Sequence, residues 1–373
     1  MRWEKGYLCI TPELFSVRKG HGDFLISSFD IAIVGSGVLG SALSAEAQEQ
    51  GLKVVCIGPD SPSQSLVAGR WFRLNTWTRP DQHPLLSRLL SRGERFLPAE
   101  ALSLAAVQVL RDSGVPRVFS RVRAIEARPS GVTLKAGRTV VQAKATVLAL
   151  GWGAPKIELA APASLRRALS RAEHAFDFPA ALEQLAKHSL RQPTLAVVGG
   201  GPSALSFLEA CVGLAPHPGL GLLKSQRVLW FDGNTPLRAP PGVKKMFEAR
   251  YAPLHQRLRR IDQVQRISRR ITAVQRRAGR WTLIDHEGIA HHADAIVWCA
   301  GLSAPLELLG PTHRPLVHEG AKLALQRLTN GLPVPVFQVG PALDQLGLAD
   351  WDTGPYAEWF EKGRRLLRRL GSA

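Results

Sequence analysis

A paired cysteine is missing from this chain. Only four cysteines occur in 373 residues, Cys9, Cys56, Cys211 and Cys299, with no C-x-x-C and no metal-ligand spacing among them. Dithiol exchange and structural metal binding are thereby excluded, and reduced thiols in the cytoplasm are expected. A long apolar run is lacking too. The least charged stretch, Thr194 to Leu223, is interrupted by the Gly199 to Gly201 triplet, Glu209 and several prolines, so it is a poor bilayer span and no transmembrane segment is expected. The first 28 residues contain no continuous apolar segment of the kind a secretory signal needs. Acidic residues are scarce: 30 Asp plus Glu stand against 48 Lys plus Arg, a net charge of +18.

What is present comes twice. In DIAIVGSGVLGSA the apolar run Ile31 to Val34 delivers Gly35, Gly37 and Gly40 in G-x-G-x-x-G spacing, ahead of an alanine-rich helix predicted over Ser41 to Gln50. In TLAVVGGGPSALS the run Leu195 to Val198 delivers Gly199, Gly201 and, at the last position, Ala204. Glycine suits such a turn because the bend is tight, the backbone must approach a pyrophosphate, and the helix must pack on the strand with its N-terminus at the phosphates. One such motif is weak evidence; two in strand-turn-helix context are much stronger.

The repeat extends beyond the turns. RVRAIEARPSGVTLKAGRTVVQAKATVLALGWGAP has alternating strands that lead into the apolar run Ala145 to Leu150 and then Gly151. RITAVQRRAGRWTLIDHEGIAHHADAIVWCAGLSAP has the same order, ending at Ala295 to Ala300 and Gly301. Each reads as a meander followed by a strand that stops beside a nucleotide; two unrelated hairpins are the alternative.

The chain resembles the two-dinucleotide-binding-domain flavoproteins, and within them the flavin-containing and N-hydroxylating monooxygenases. GSGVLG, LALGWG, GGGPSA and WCAGLS carry the resemblance, together with VFQVGPALDQLGLADWDTGPYAEWFEKGRRLL, which is similar to the segment that closes the flavin domain. The implied fold is α/β: a Rossmann-like FAD-binding domain over 29–155 plus 335–373, with an inserted second Rossmann-like NAD(P)-binding domain over 190–305. Residues 1–28 would be an N-terminal extension, and 156–189 and 306–334 linkers. The resemblance implies FAD at Gly35, Ser36, Gly37, Val38, Leu39 and Gly40, with Gly151, Gly340 and Asp344 closing the site. It implies NADPH or NADH at Gly199, Gly200, Gly201, Pro202, Ser203, Ala204, Asp232 and Gly301. The implied chemistry is that of an FAD-dependent oxidoreductase, a monooxygenase working through a C4a-hydroperoxyflavin.

Departures from the family pattern bear on that reading. After Lys53 to Ile57 an acid should bond the adenosine ribose, but Gly58 occupies the place, with Asp60 as the nearest substitute. In the second unit Asp232 favours NADH, whereas Arg227, Arg238, Lys244 and Lys245 could take a 2′-phosphate. The motif F-x-G-x-x-x-H-x-x-x-[WY] is not intact, since SRAEHAFDF offers only His174 and Phe178. In GRWFRLNTWTRPDQHP, Asn75 matches an asparagine that such monooxygenases place near flavin and nicotinamide, and is the candidate catalytic residue. Arg70 and Trp71 from the same stretch are candidate cofactor contacts, by charge and by stacking.

The excess charge points to an anionic substrate, free or tethered to a carrier, or to an acidic protein partner. Its densest run is the arginine series from Arg257 to Arg280. Without a helix-turn-helix, zinc-finger or aromatic RNA-binding signature, nucleic acid ranks last. Two other functions stay open at this point: a flavin dehydrogenase or reductase that does not oxygenate, and a non-catalytic basic binding protein with remnant nucleotide domains.

Overall fold

The computed structural model describes residues 24–59, 99–151, 154–155, 175–177, 185, 193–214, 227–233, 244–299, 302–303, 313–318, 323–328, 333–340 and 355–372. Along the chain, β1 (Phe24–Val34) enters α1 (Val38–Glu49) and β2 (Val54–Ile57). Next come α2 (Ala99–Asp112), β3 (Arg117–Val118), β4 (Val122–Arg128), β5 (Gly131–Ala136) and β6 (Thr139–Leu148). Then β7 (Ala154–Pro155) and β8 (Ala175–Asp177) precede the second unit: β9 (Thr194–Val198), α3 (Pro202–Cys211), β10 (Arg227–Phe231), α4 (Lys244–Leu258) and β11 (Val264–Ile267). A meander follows, β12 (Ile271–Arg277), β13 (Arg280–Asp285) and β14 (Ala290–Ala293), then β15 (Ala295–Trp298) and β16 (Leu302–Ser303). The chain ends with β17 (His313–His318), β18 (Leu323–Leu328), β19 (Pro333–Gln338) and α5 (Pro355–Gly371).

Two sheets result, the first parallel over β19-β6-β1-β2-β3 with antiparallel additions and the second parallel throughout, because the short runs Ile31–Val34 and Leu195–Val198 are apolar on both faces and need cover on both. The first sheet runs β17-β18-β19-β6-β1-β2-β3, with β4 and β5 branching from β6; the second runs β11-β10-β9-β15-β8. Register brings the last residue of each glycine-bearing strand level with its neighbours' ends: Val34 with Ile57 and Leu148, Val198 with Phe231 and Trp298. In each domain one face buries helices and the other faces the meander. The helices also end alike. Gly51 at φ +78° and Gly213 at φ +69° close α1 and α3, with Leu52 N–H donating to Ala47 and Leu214 N–H to Glu209, the six-to-one bond of a Schellman cap.

Three expected boundaries need correction. Residues 306–334, read as a linker, contain β17 and β18, which extend the first sheet through β19. Pro315 lies within β17, the edge strand of the sheet, the place where a strand tolerates proline. Residues 156–189 contain β8, which pairs with β15. The N-terminal extension ends earlier than residue 28, since Phe24, Leu25 and Ile26 already pair with Thr139, Val140 and Val141. The last helix packs as its spacing predicts, with Trp359, Phe360, Leu366 and Leu367 in the core cluster that holds Leu39 and Leu43 of α1. Among the described residues, no helix is long and apolar enough to cross a membrane.

The second meander holds two features with measurable consequences. Asp285 is buried at the β13 end, where it accepts hydrogen bonds from Arg269 (3.1 Å) and the backbone N–H groups of Glu287 and Ile289 (both 3.0 Å), with His291 Nε2 at 2.9 Å. Burial pushes its carboxyl up, but these partners, His291 first, outweigh it and hold the group well below the usual carboxylate range. A depressed carboxyl stabilises the fold above its unfolded value and loses that contribution as pH falls through the folded one. Asp285→Asn should therefore unfold at lower denaturant than wild type near neutrality, with the gap narrowing in acid; a constant gap across pH would contradict the linkage. The hairpin tip places Ala278 at φ +48° before Gly279 at φ +79°. A left-handed Cβ residue costs roughly 1–2 kcal/mol, so Ala278→Gly should raise stability by about 1 kcal/mol in denaturant titration, less whatever entropy the glycine adds to the unfolded chain.

Candidate functional site

Each glycine turn divides its residues between packing and open space. At Gly35, φ +117°, an added Cβ would overlap the carbonyl of Ala149, and at Gly40 one would overlap the carbonyl of Gly35 itself. Gly199, φ +141°, stands in the same way against the carbonyl of Cys299. Ala204, at the position of Gly40, is fully buried. Gly37 and Gly201 are different: a Cβ there would meet nothing within 4 Å among the described residues. Both are N-caps, of α1 and α3, with no side-chain cap and no acid in the first turn. The first backbone N–H groups of α1, and those that follow Pro202 in α3, thus face a notch left open among the described residues, where the helix dipole favours an anion. Such a notch fits a dinucleotide pyrophosphate.

Side chains brace these turns. Ser36 Oγ donates to the carbonyl of Pro59 at 2.8 Å, Ser41 Oγ to Ser36 at 3.1 Å and Ser44 Oγ to Gly40 at 2.7 Å. In the second unit Trp230 Nε1 donates to the carbonyl of Gly199 at 2.8 Å. Val38 and Leu39 turn into the core, and Gly340, φ +87°, lies where a Cβ would be 3.0 Å from Leu39 Cδ2. Gly151, φ +67°, follows β6 with open space around it. The structure so gathers Gly35, Ser36, Gly37, Val38, Leu39, Gly40 and Gly340 at one strand end, and Gly199, Gly200, Gly201, Pro202, Ser203 and Ala204 at another. Asp60, Arg70, Trp71, Asn75, Asp344 and Gly301 lie outside the described residues, as do Arg238 and His174. The side chains of Lys244 and Lys245 also lie outside them.

The two units differ at the ribose position. Gly58 and Asp232 follow equivalent strands, yet a Cβ on Gly58 would stand 2.5 Å from Ser36 Oγ and 2.7 Å from Ser36 N. The first unit therefore carries its side chain on the turn and none on the strand end. The second reverses this, with Gly200 on the turn and Asp232 on the strand end, where a Cβ on Gly200 would lie 2.8 Å from the Asp232 carbonyl. Asp232 is itself engaged. It is 3% exposed, and Arg266 of β11 reaches its Oδ2 through Nε and Nη2 at 2.5 Å, with the guanidinium 5.9 Å over the Trp230 ring.

Sequence reading missed Arg266 because it is one arginine among many, and only the pairing of Trp230 with Arg266 across β10 and β11 brings it to the acid. Gln338 was also missed. It is fully buried on β19, level with Leu148, and neither its Oε1 nor its Nε2 has a partner among the described residues. The only sequence signal was a polar residue breaking the apolar run of VPVFQV. The described cysteines make no dithiol: Cys56, Cys211 and Cys299 are free and buried, and burial raises the thiols of Cys56 and Cys211. No cluster of metal-ligating residues occurs among the described residues.

Two sheets with parallel cores, each with a glycine turn, an uncapped helix and a meander leading to the strand beside the glycine-bearing one, define a flavoprotein with two dinucleotide-binding domains. The chain belongs to the pyridine nucleotide-disulphide oxidoreductase family, whose model matches residues 29–326. It is an FAD-dependent oxidoreductase that uses FAD and NAD(P)H. Similar solved structures include the ornithine hydroxylase of Pseudomonas aeruginosa, with a TM-score of 0.66 and 13% identity over 93% of this chain and 99% of that one. The cadaverine monooxygenase of Erwinia amylovora, solved with FAD bound, gives 0.65 and 15% over 92% and 95%. The thioredoxin reductase of Lactococcus lactis gives 0.60 and 16% over 92% and 100%. At these identities the likeness is one of fold. No curated protein sequence matches the chain.

The division of glycines predicts a split between folding and cofactor binding. Gly37→Ala should leave the unfolding midpoint within about 1 kcal/mol of wild type while weakening FAD, because its methyl fills only the notch. Gly40→Ala should destabilise by several kcal/mol, since the strand-helix contact must open. Denaturant titration of the apoprotein and flavin retention on dialysis check the pair.

Proposed function

We propose that this protein is an NAD(P)H-dependent flavin monooxygenase acting on a small-molecule or carrier-tethered substrate of specialised metabolism. The observation that carries the reading is the combination of two matched pyrophosphate notches with an absence of any dithiol among the described residues. One turn, Gly35 to Gly40, holds FAD, with Gly340 and Gly151 at its edge; the other, Gly199 to Ala204, holds the nicotinamide dinucleotide. Bound FAD supplies a two-electron store between the nicotinamide and the final acceptor. The chain's own work is to bind and orient. The N-terminus of α1 and the Gly37 notch fix one pyrophosphate, and the N-terminus of α3 and the Gly201 notch fix the other. The stoichiometry is substrate, dioxygen, NAD(P)H and a proton giving hydroxylated substrate, water and NAD(P)+.

Dithiol exchange needs an accessible cysteine pair, whereas this sequence has no C-x-x-C and its described cysteines are buried. That favours oxygen as acceptor, in line with the ornithine and cadaverine enzymes among the similar structures. Asn75 is the proposed residue near the flavin edge, with Asp60, Arg70, Trp71 and Asp344 as further cofactor contacts. The competing reading, a flavin reductase that hands electrons to a partner, is separated by mixing reduced protein with dioxygen in a stopped-flow instrument. A delayed return of the oxidised flavin spectrum, with label from dioxygen appearing in product, is expected; immediate return without labelled product would assign the reductase.

Asp232 sits on the residue that this fold offers to the adenosine ribose, and Arg266 already holds its carboxylate. An arginine beside that position suits a 2′-phosphate better than a free hydroxyl, so NADPH is the proposed donor. Arg266→Gln should shift the ratio of NADPH to NADH affinity toward NADH by about tenfold, the loss of one charge-assisted hydrogen bond. Anaerobic titration of the oxidised protein with each nucleotide reads the ratio; an unchanged ratio would remove Arg266 from the recognition of the 2′ group.

A further inference from the structure

The arginine run from 257 to 280 is split by the fold between the two ends of the second domain. Arg266 and Arg269 lie toward the C-terminal ends of the strands, bound to Asp232 and Asp285. The others gather at the opposite end. Arg227 opens β10 opposite Thr194, the first residue of β9. Arg257 closes α4, and Arg259 and Arg260 stand in the turn that returns to Val264, where Gln263 accepts the N–H of Val228. From the other face, β14 descends to Asp294, whose N–H donates to Thr194. Trp281 pairs with Ala293, so the β12–β13 tip with Arg276, Arg277 and Arg280 comes down to the same end.

This end face has unusual electrostatics. Arg227, Arg257, Arg259, Arg260, Arg276, Arg277 and Arg280 are all exposed. Asp262 and Asp294 lie among them, and Arg280 takes Asp294 at 3.0 Å. Arg257, Arg259, Arg260 and Arg277 make no ion pair among the described residues. Arg277 and Arg280 face each other directly across the hairpin, a like-charge pairing that disfavours the fold. Residues 246–300 contain no lysine, so the charge is carried by planar guanidinium forks, which suit carboxylates in interfaces. The helix layer and the meander flank the sheet on opposite faces, each about 10 Å from it, so the charged face is about 20 Å across, close to one side of a standard protein interface.

We infer that the strand-N-terminal end of the second domain is a docking surface for an acidic protein. Its position sets the role. The glycine turn lies at the other end of the strands, so these arginines hold a partner and do not line the cofactor crevice, which separates the acidic partner from the anionic substrate among the sequence expectations. A single-stranded nucleic acid would need aromatic platforms, and the aromatic residue of the hairpin, Trp281, is 2% exposed. The inference is independent of the monooxygenase reading, because it concerns binding alone.

The test measures fluorescence anisotropy of labelled polyglutamate with the FAD-loaded full chain at low and physiological salt. Binding that falls with salt is expected, as is association slowed at least about tenfold when Arg257, Arg259, Arg260 and Arg277 are changed to Glu. A control quartet, Arg121, Arg123, Arg368 and Arg369 to Glu, carries the same charge change on exposed positions elsewhere and should lose little. Flavin content and unfolding temperature verify both quartets, and Arg259→Gln with Arg260→Gln replaces the first if it does not fold. Equal loss in the two quartets would overturn the surface in favour of net charge. So would a DNA duplex or a phosphatidylserine vesicle that outcompetes polyglutamate through the same arginines, or failure of polyglutamate to bind at low salt.

Discussion

The contact on which the rest depends is the pressing of a glycine backbone against a carbonyl of the next strand: Gly35 on Ala149 in one domain, Gly199 on Cys299 in the other. No side chain fits there. Because the turn lies so close, the helix that follows can start directly over the strand ends, with its first N–H groups facing an open notch. Everything needed to bind a dinucleotide, the dipole, the donors and the space, follows from that approach. The meander and the central strand then serve to hold the opposing carbonyl in place, which explains why both units carry them in the same order.

Duplication of the unit did not duplicate its specificity. The two turns exchange bulk between turn and strand end, Ser36 with Gly58 in one and Gly200 with Asp232 in the other. The first therefore offers the ribose no carboxylate from its strand end. The second offers one already bound to Arg266. A single architecture can so hold two different dinucleotides, with the choice made by a residue or two at the strand end while the pyrophosphate cradle stays constant. Charge is divided too: Arg266 and Arg269 near the glycine turn pair with buried acids, whereas Arg257, Arg259, Arg260 and Arg277 at the far end make no ion pair among the described residues.

The glycine turns were legible in the sequence because each needs a particular residue type at a fixed spacing, within one strand and one helix. The C-terminal helix was legible for a similar reason, since Trp359, Phe360, Leu366 and Leu367 fall on one face by helical period. Strands β17, β18 and β8 were not, because they are short edge or near-edge pieces that gain their identity from a neighbour. Pro315 argued against a strand until its place at the sheet edge was known.

The sequence by itself determined the fold class and the two glycine turns, both of which rest on local spacing within one strand and one helix. The tertiary structure alone decided that Arg266 belongs to Asp232, that Ser36 fills the place beside Gly58, and that the arginine run is two populations at opposite ends of a domain. Those facts depend on strand register and on which end a hairpin reaches, and register is fixed by packing between segments far apart in the chain.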